Sequence, residues 1–200
     1  MGVANGLATL DADVLVPEAQ MPASVQGLLG AVNEGEYVGV GSRLSYIGEV
    51  VPVDSEIQLL RALIPSATYD RMRFFVTNGG SGGTRSVRLG VYSETAGEPV
   101  ARVAQTDPVT INGKMDEMVS VALQSPLVVS ASAFYWLAII VDGVSGVSPK
   151  IAGTPTAAFP NFLNMRNDSS TGDTLPATLA APTNSGGAIF YRALLNEDAI

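Results

Sequence analysis

Phe134-Tyr135-Trp136-Leu137-Ala138-Ile139-Ile140-Val141 is apolar at every position. Successive side chains of a strand point to opposite faces, so a strand with this sequence must be covered on both. It is expected at the centre of a sheet, buried, with Trp136 in the core.

Working outward, short apolar runs recur between Pro, Gly, Asn and Asp. Ile57 to Ile64 stops at Pro65, and Arg71 to Thr77 reads Arg-Met-Arg-Phe-Phe-Val-Thr. Ser86 to Tyr92 alternates, with Val87, Leu89 and Val91 on one face and Arg88 on the other, the pattern of a half-buried strand. Pro99 to Ala104 is a weaker strand; Met118 to Leu123 sets Val119, Val121 and Leu123 against Ser120, after a tight turn at Asn112-Gly113. Ala188 to Leu195 is two-sided except at Arg192 and returns the chain to the sheet. The spacing predicts an all-β domain over residues 43–200, an antiparallel, jelly-roll-like β-sandwich of about eight strands. Pro149, Pro155, Pro160, Pro176 and Pro182 break residues 145–186 into short pieces, which predicts long loops at one end. No repeat or heptad suggests a solenoid, propeller or coiled-coil shaft.

Residues 1–42 differ. They are rich in Gly, Ala and Val, without a sustained period, and read as an extended N-terminal arm. A short helix started at Ser24, with Val25, Leu28, Leu29 and Val32 on it and Gly27 and Gly30 weakening it, is the one regular element expected there.

Two hundred residues suffice for one domain with a core plus an appendage. A net charge of −8 opposes nucleic-acid binding, which depends on Lys and Arg neutralising phosphates. Arg71, Arg73, Arg85 and Arg88 lie close in sequence; solvated strand edges are the expected reading, a basic face the alternative. The first residues lack the charged and apolar regions of a signal peptide, and no apolar run approaches the roughly 20 residues of a membrane helix, so no membrane insertion is expected. The absence of cysteine removes disulfide and thiol chemistry. The absence of histidine removes the usual general base and the usual zinc ligand.

Gly79-Gly80-Ser81-Gly82-Gly83 matches the nucleophile-elbow pattern, but that chemistry needs a base beside the serine and a helix after it. The stretch is read as a flexible hairpin loop, with Gly80, Ser81 and Gly82 as candidate contact residues. Asp11 with Asp13, Asp116 with Glu117, and Glu197 with Asp198 are read as solvated turns, since none has the spacing of a calcium loop. Asn167-Asp168-Ser169 fits a glycosylation acceptor and is read as a turn. Trp136, Tyr69, Tyr92, Phe159 and Phe162 could stack on sugars if exposed, with core packing the expected reading for Trp136; Phe159 and Phe162, on a Pro-rich loop, are the surface candidates or else that loop's anchors. No catalytic residue, cofactor or metal site is predicted.

Asn5-Gly6-Leu7-Ala8-Thr9-Leu10-Asp11, followed by Val16-Pro17-Glu18-Ala19-Gln20-Met21-Pro22, resembles a segment that recurs in bacteriophage tail-fibre and related virion appendage proteins. It departs from that pattern at Val14-Leu15, where the family usually carries a Gly-Lys turn. The resemblance covers about the first 22 residues and implies an adaptor-like segment of a trimeric fibre, ahead of a globular β tip. Leu7, Leu10, Val14, Leu15, Val16, Pro17, Gln20, Met21 and Pro22 would then carry attachment and oligomerisation. The residues themselves are compatible, because an extended arm cannot bury Leu7, Leu10, Val14, Leu15, Val16 and Met21 without neighbouring chains.

The expected protein is therefore a non-catalytic, homotrimeric virion component: a short fibre, spike, head fibre or decoration protein, assembled in the host cytoplasm. Its arm would meet tail, baseplate or capsid proteins, and its head a host-surface glycan or protein. With 200 residues from Met1 it reads as a short spike or tip. The competing expectation is a lectin-like, carbohydrate-binding module with no virion role. An enzyme, which would have to run on carboxylates alone, comes third.

Overall fold

The computed structural model describes residues 36–38, 48–143, 146–155, 165–179, 183–184, 188–190 and 192–195. The fold is all-β and antiparallel, two sheets curled face to face, and no helix occurs among the described residues. The arm through residue 35, with its expected short helix, lies outside them.

The strands are β1 (Glu36–Val38), β2 (Gly48–Val50), β3 (Glu56–Ile64), β4 (Ala67–Asn78), β5 (Ser86–Thr95), β6 (Glu98–Gln105), β7 (Val109–Thr110), β8 (Met115–Val129), β9 (Ala133–Asp142), β10 (Lys150–Pro155), β11 (Met165–Ser169), β12 (Thr183–Asn184), β13 (Ala188–Phe190) and β14 (Arg192–Leu195). Among the described residues there are fourteen strands against the expected eight; the short pairings at residues 36–38, 48–50, 109–110 and 183–184 are too brief to leave a periodic signal. Within the expected strand Ala188 to Leu195, Ala188–Phe190 pairs with β10 and Arg192–Leu195 with β4. Asn167-Asp168-Ser169 is not a turn but the end of β11, registered on β3 through Asn167 opposite Gln58.

The first sheet runs β1-β14-β4-β10-β13, with β2 also on β10 and β8 on β4. The second runs β12-β11-β3-β9-β5-β6, with β7 also on β5. The doubly apolar strand is β9, held between β3 (Ile57 opposite Ile140) and β5 (Val91 opposite Leu137). Its two faces serve two clusters. Leu137, Ile139 and Val141 point between the sheets with Val87, Leu89 and Val91, against Met72, Phe74 and Val76 of β4 and Val119, Leu123 and Leu127 of β8. Trp136, Ala138 and Ile140 point outward and join Ile57, Leu59 and Tyr92.

That outer cluster is closed by the chain itself. The segment between β11 and residue 179 lies across it, with Leu175 only 1% exposed. Gly90 leaves room for this: a Cβ there would stand 2.6 Å from Leu175 Cδ1. Polar contacts fasten the segment at both edges. The Tyr92 hydroxyl donates to Pro176 O at 2.8 Å, Arg102 N donates to Ala177 O at 2.8 Å, and the Arg102 guanidinium also reaches Leu175 O. Ser86 Oγ donates to Asp173 Oδ2 at 2.7 Å, with Arg88 beside the same carboxylate at 3.5 Å. Arg88 is thus held by the strap, and β5 is covered on both faces where alternation predicts a solvated one.

The long edge strand β8 is protected partway along. Thr106 bridges to Leu123, Gln105 Nε2 donates to Gln124 Oε1 at 2.8 Å, and Gln124 Nε2 donates to Asp107 Oδ1 at 2.7 Å. Together with Pro126, which has no N–H to offer, this interrupts the edge as a template for pairing.

Leu175→Ala is expected to cost about 2–5 kcal/mol, the range for emptying a buried leucine site, read as a lower urea midpoint. Burial, reinforced by Asp168 and opposed by Arg102, raises the Tyr92 pKa above its ordinary value. The unfolded chain then loses this proton before the folded one, so the contribution is complete below about pH 10 and declines as pH rises further. Tyr92→Phe should flatten that alkaline decline in melts across pH 9 to 11, while losing roughly 1 kcal/mol at neutral pH with the bond to Pro176.

Candidate contact surface

Strand directions gather five connections at one end of the sandwich. β3 starts there at Glu56, β4 ends at Asn78, β5 starts at Ser86, β8 starts at Met115, β9 ends at Asp142, β10 starts at Lys150 and β11 ends at Ser169. The opposite end carries the turn at Pro65-Ser66, where Ser66 Oγ donates to Ser130 O at 3.1 Å.

At the loop end, residues 79–85 are built around Arg85, whose side chain is fully buried. Its guanidinium donates to Ser81 O at 2.7 Å and to Gly83 O at 3.2 Å, while its backbone N–H donates to Asn112 Oδ1 at 2.7 Å. The Asn112 amide in turn donates to Gly83 O, and Ile111 N donates to Arg85 O at 3.0 Å. Val147 N donates to Ser81 O at 3.2 Å, adding the connection after β9 to the same knot. The glycines permit this closeness: a Cβ on Gly79 would meet Ile111 O at 1.7 Å, and one on Gly80 would meet Val147 O at 2.2 Å. Carbonyl dipoles are fixed around a cation, and the exposed tip of residues 81–84 stands on that base.

The structure therefore corrects two expectations. The Gly-rich stretch is not a hairpin loop: it carries the chain from β4 in the first sheet to β5 in the second, its carbonyls accept hydrogen bonds, and Gly80 is buried while Ser81 and Gly82 are exposed. The arginines near it are not simply solvated strand edges: Arg85 is interior, Arg88 meets Asp173, and Arg71 donates to Ser120 Oγ at 3.0 Å.

Beside this tip lies a polar cleft of about 470 Å³ between the start of β3 and the end of β11, lined by Asp54, Ser55, Glu56, Asn167, Asp168 and Ser169. Ser55 holds a left-handed backbone (φ 56°), fixed by its N–H on Val141 O at 2.9 Å and its carbonyl accepting from Ser170 N at 3.0 Å. Glu56 accepts from Asn167 Nδ2 at 2.8 Å and from Gln58 Nε2 at 3.4 Å. Carboxylates, amides and hydroxyls together form a hydrogen-bonding lining. Among the described residues no group of three or more His, Cys, Asp or Glu is arranged to hold a metal ion.

Tyr69, Tyr92 and Trp136 are buried, so none of them offers a ring to a sugar. Phe159, Phe162 and the arm residues Leu7, Leu10, Val14, Leu15, Val16, Pro17, Gln20, Met21 and Pro22 lie outside the described residues. Sequence reasoning missed Arg85, Asn112 and the Asp54–Asp168 cleft. The pairing of β11 with β3, which creates the cleft, leaves no local trace; the Asn-Gly pair beside Arg85 was a turn signal whose side-chain role only the fold reveals. No protein-family model and no curated protein matches the chain.

Arg85→Lys should destabilise the fold by about 1.5–3 kcal/mol, since an ammonium cannot fork between Ser81 O and Gly83 O as a guanidinium does. The local signature is faster hydrogen exchange at the Gly79 and Val147 amides, with the β9 amides slowed as before.

Proposed function

We propose that this chain is a structural, non-catalytic component of a bacteriophage particle: a short trimeric fibre, spike or decoration protein anchored through residues 1–42, with its β head outward. The observation that carries the reading is the opposition between chain entry and loops. β1 pairs with β14 and β14 with β4, each antiparallel, so β1 runs as β4 does, toward the loop end. β1 therefore begins at Glu36 on the side facing the other end, and β14 runs toward that end. A head held from that side presents residues 81–84 and the polar cleft outward, where a host-surface glycan or protein could be met. The arm's resemblance to appendage segments supports the same arrangement, and a net charge of −8 keeps an exposed head soluble.

The polar cleft favours a second reading, a lectin-like module whose hydroxyl, amide and carboxylate groups bond a glycan without any virion role. The two share the head and differ in the arm.

Two measurements test the proposal. Antibody against the exposed 81–84 tip should decorate purified particles in immunogold microscopy, and light scattering should give three times the 20.7 kDa of one chain. Particles free of the chain, together with a monomer that binds a glycan array, would replace the appendage by the lectin.

A further inference from the structure

The two sheets differ in how their outer faces are finished. On the second, residues 170–179 close the apolar cluster around Trp136. On the first, along β4 and β8, Met118 is 36% and Val128 is 69% exposed, and Ser120 and Ala122 are exposed beside them. The register sets Arg71 opposite Ala122, Arg73 opposite Ser120 and Phe75 opposite Met118, so two guanidinium groups share a strip with apolar neighbours. Among the described residues, the charges near that strip include Asp70 on the same strand, Glu36 of β1 in register with Leu195 opposite Arg71, and, toward the loop end, Asp116 and Glu117, the latter bonded to Lys114 Nζ at 2.6 Å. Two arginines in succession on one face are uncommon in a chain with only eleven basic residues.

Residues 1–42 have the complementary composition. They hold Asp11, Asp13, Glu18, Glu34 and Glu36 and no Lys or Arg. Between residues 7 and 21, Leu7, Leu10, Val14, Leu15, Val16 and Met21 alternate loosely with Asp11, Asp13 and Glu18. This segment needs apolar cover and cationic partners together, and the β4–β8 face offers both. The chain also joins the fold at β1, on this same sheet. Residues 22–35 between the segment and β1 can span up to about 3.3 Å each, ample to reach an adjoining molecule.

We propose that the outer face of β4 and β8 receives residues 7–21 of a neighbouring copy of this chain, with Asp11 and Asp13 against Arg71 and Arg73. The proposal deepens the appendage reading and rests on it for the presence of that neighbour. Each copy gives its arm to the next, a head-to-tail contact that closes into a ring when the rotation allows. The partner is thus a second copy, recognised by charge and apolar surface together.

The absence of native cysteine makes a clean test, because introduced thiols have no competitors. Full-length Leu15→Cys chains and mass-tagged full-length Ala122→Cys chains are co-expressed and oxidised, and the disulfide-linked heterodimer is followed on non-reducing gels. It should form at least about tenfold faster than with Val100→Cys, an exposed position on the second sheet, and faster still at low salt. Arg71→Glu with Arg73→Glu should slow it about tenfold, and Asp11→Lys with Asp13→Lys in the other chain should restore it. Restoration also certifies that the reversed face is folded. A rate no greater than the Val100 control or indifference to charge reversal would each overturn the proposal. Particle labelling reads the appendage assignment separately: the cross-link without particles leaves the docking standing in a free oligomer, and labelled particles without the cross-link remove the docking alone.

Discussion

The structure depends on covering the second face of β9. Any sandwich buries one face of each sheet, but Trp136, Ala138 and Ile140 add an apolar cluster on the outside, and leaving it wet would forfeit roughly 1.5–3 kcal/mol for each large side chain. The chain meets the constraint with the segment around Leu175, and the details of the neighbouring strands follow from that choice. Gly90 lacks a side chain because Leu175 needs the space, Tyr92 is buried because the segment lies on it, and Arg88 and Arg102 face polar anchors of the same segment. One covering element thus sets residue choices on two strands, β5 and β6.

The loop end follows a different principle. Arg85 is buried among carbonyl oxygens, and those carbonyls converge because Gly79 and Gly80 let the backbone approach within distances no side chain permits. A buried cation bonded to carbonyl dipoles ties three connections together. The exposed tip of residues 81–84 stands on that knot.

Much of the β framework was legible in the sequence, because alternation and uninterrupted apolar runs report burial directly. Val87, Leu89 and Val91, and Val119 with Leu123, occupy the inter-sheet core as their spacing indicates, and residues 136–141 of the apolar run are buried at the centre of the second sheet while Phe134 at its start is exposed. What was not legible depends on partners far away in sequence. Arg88 reads as a solvated residue until Asp173 stands beside it, and Asn167 reads as a turn until its strand pairs with Gln58. The Gly-rich connection reads as mobile because glycine signals conformational freedom, whereas at Gly79 and Gly80 it signals lack of room. The cleft at Asp54 and Asp168 joins residues more than a hundred positions apart, so neither half carries a pattern on its own.

The direction of β1 has a mechanical consequence. A pull transmitted through the chain before Glu36 acts along the strand axis, away from the loop end, and loads the three pairs between β1 and β14 in shear rather than opening them one at a time. The next element reached is β2, again a three-pair antiparallel contact, on β10. Two short stretches loaded along their length would dissipate tension in sequence before it arrived at β4 and the core.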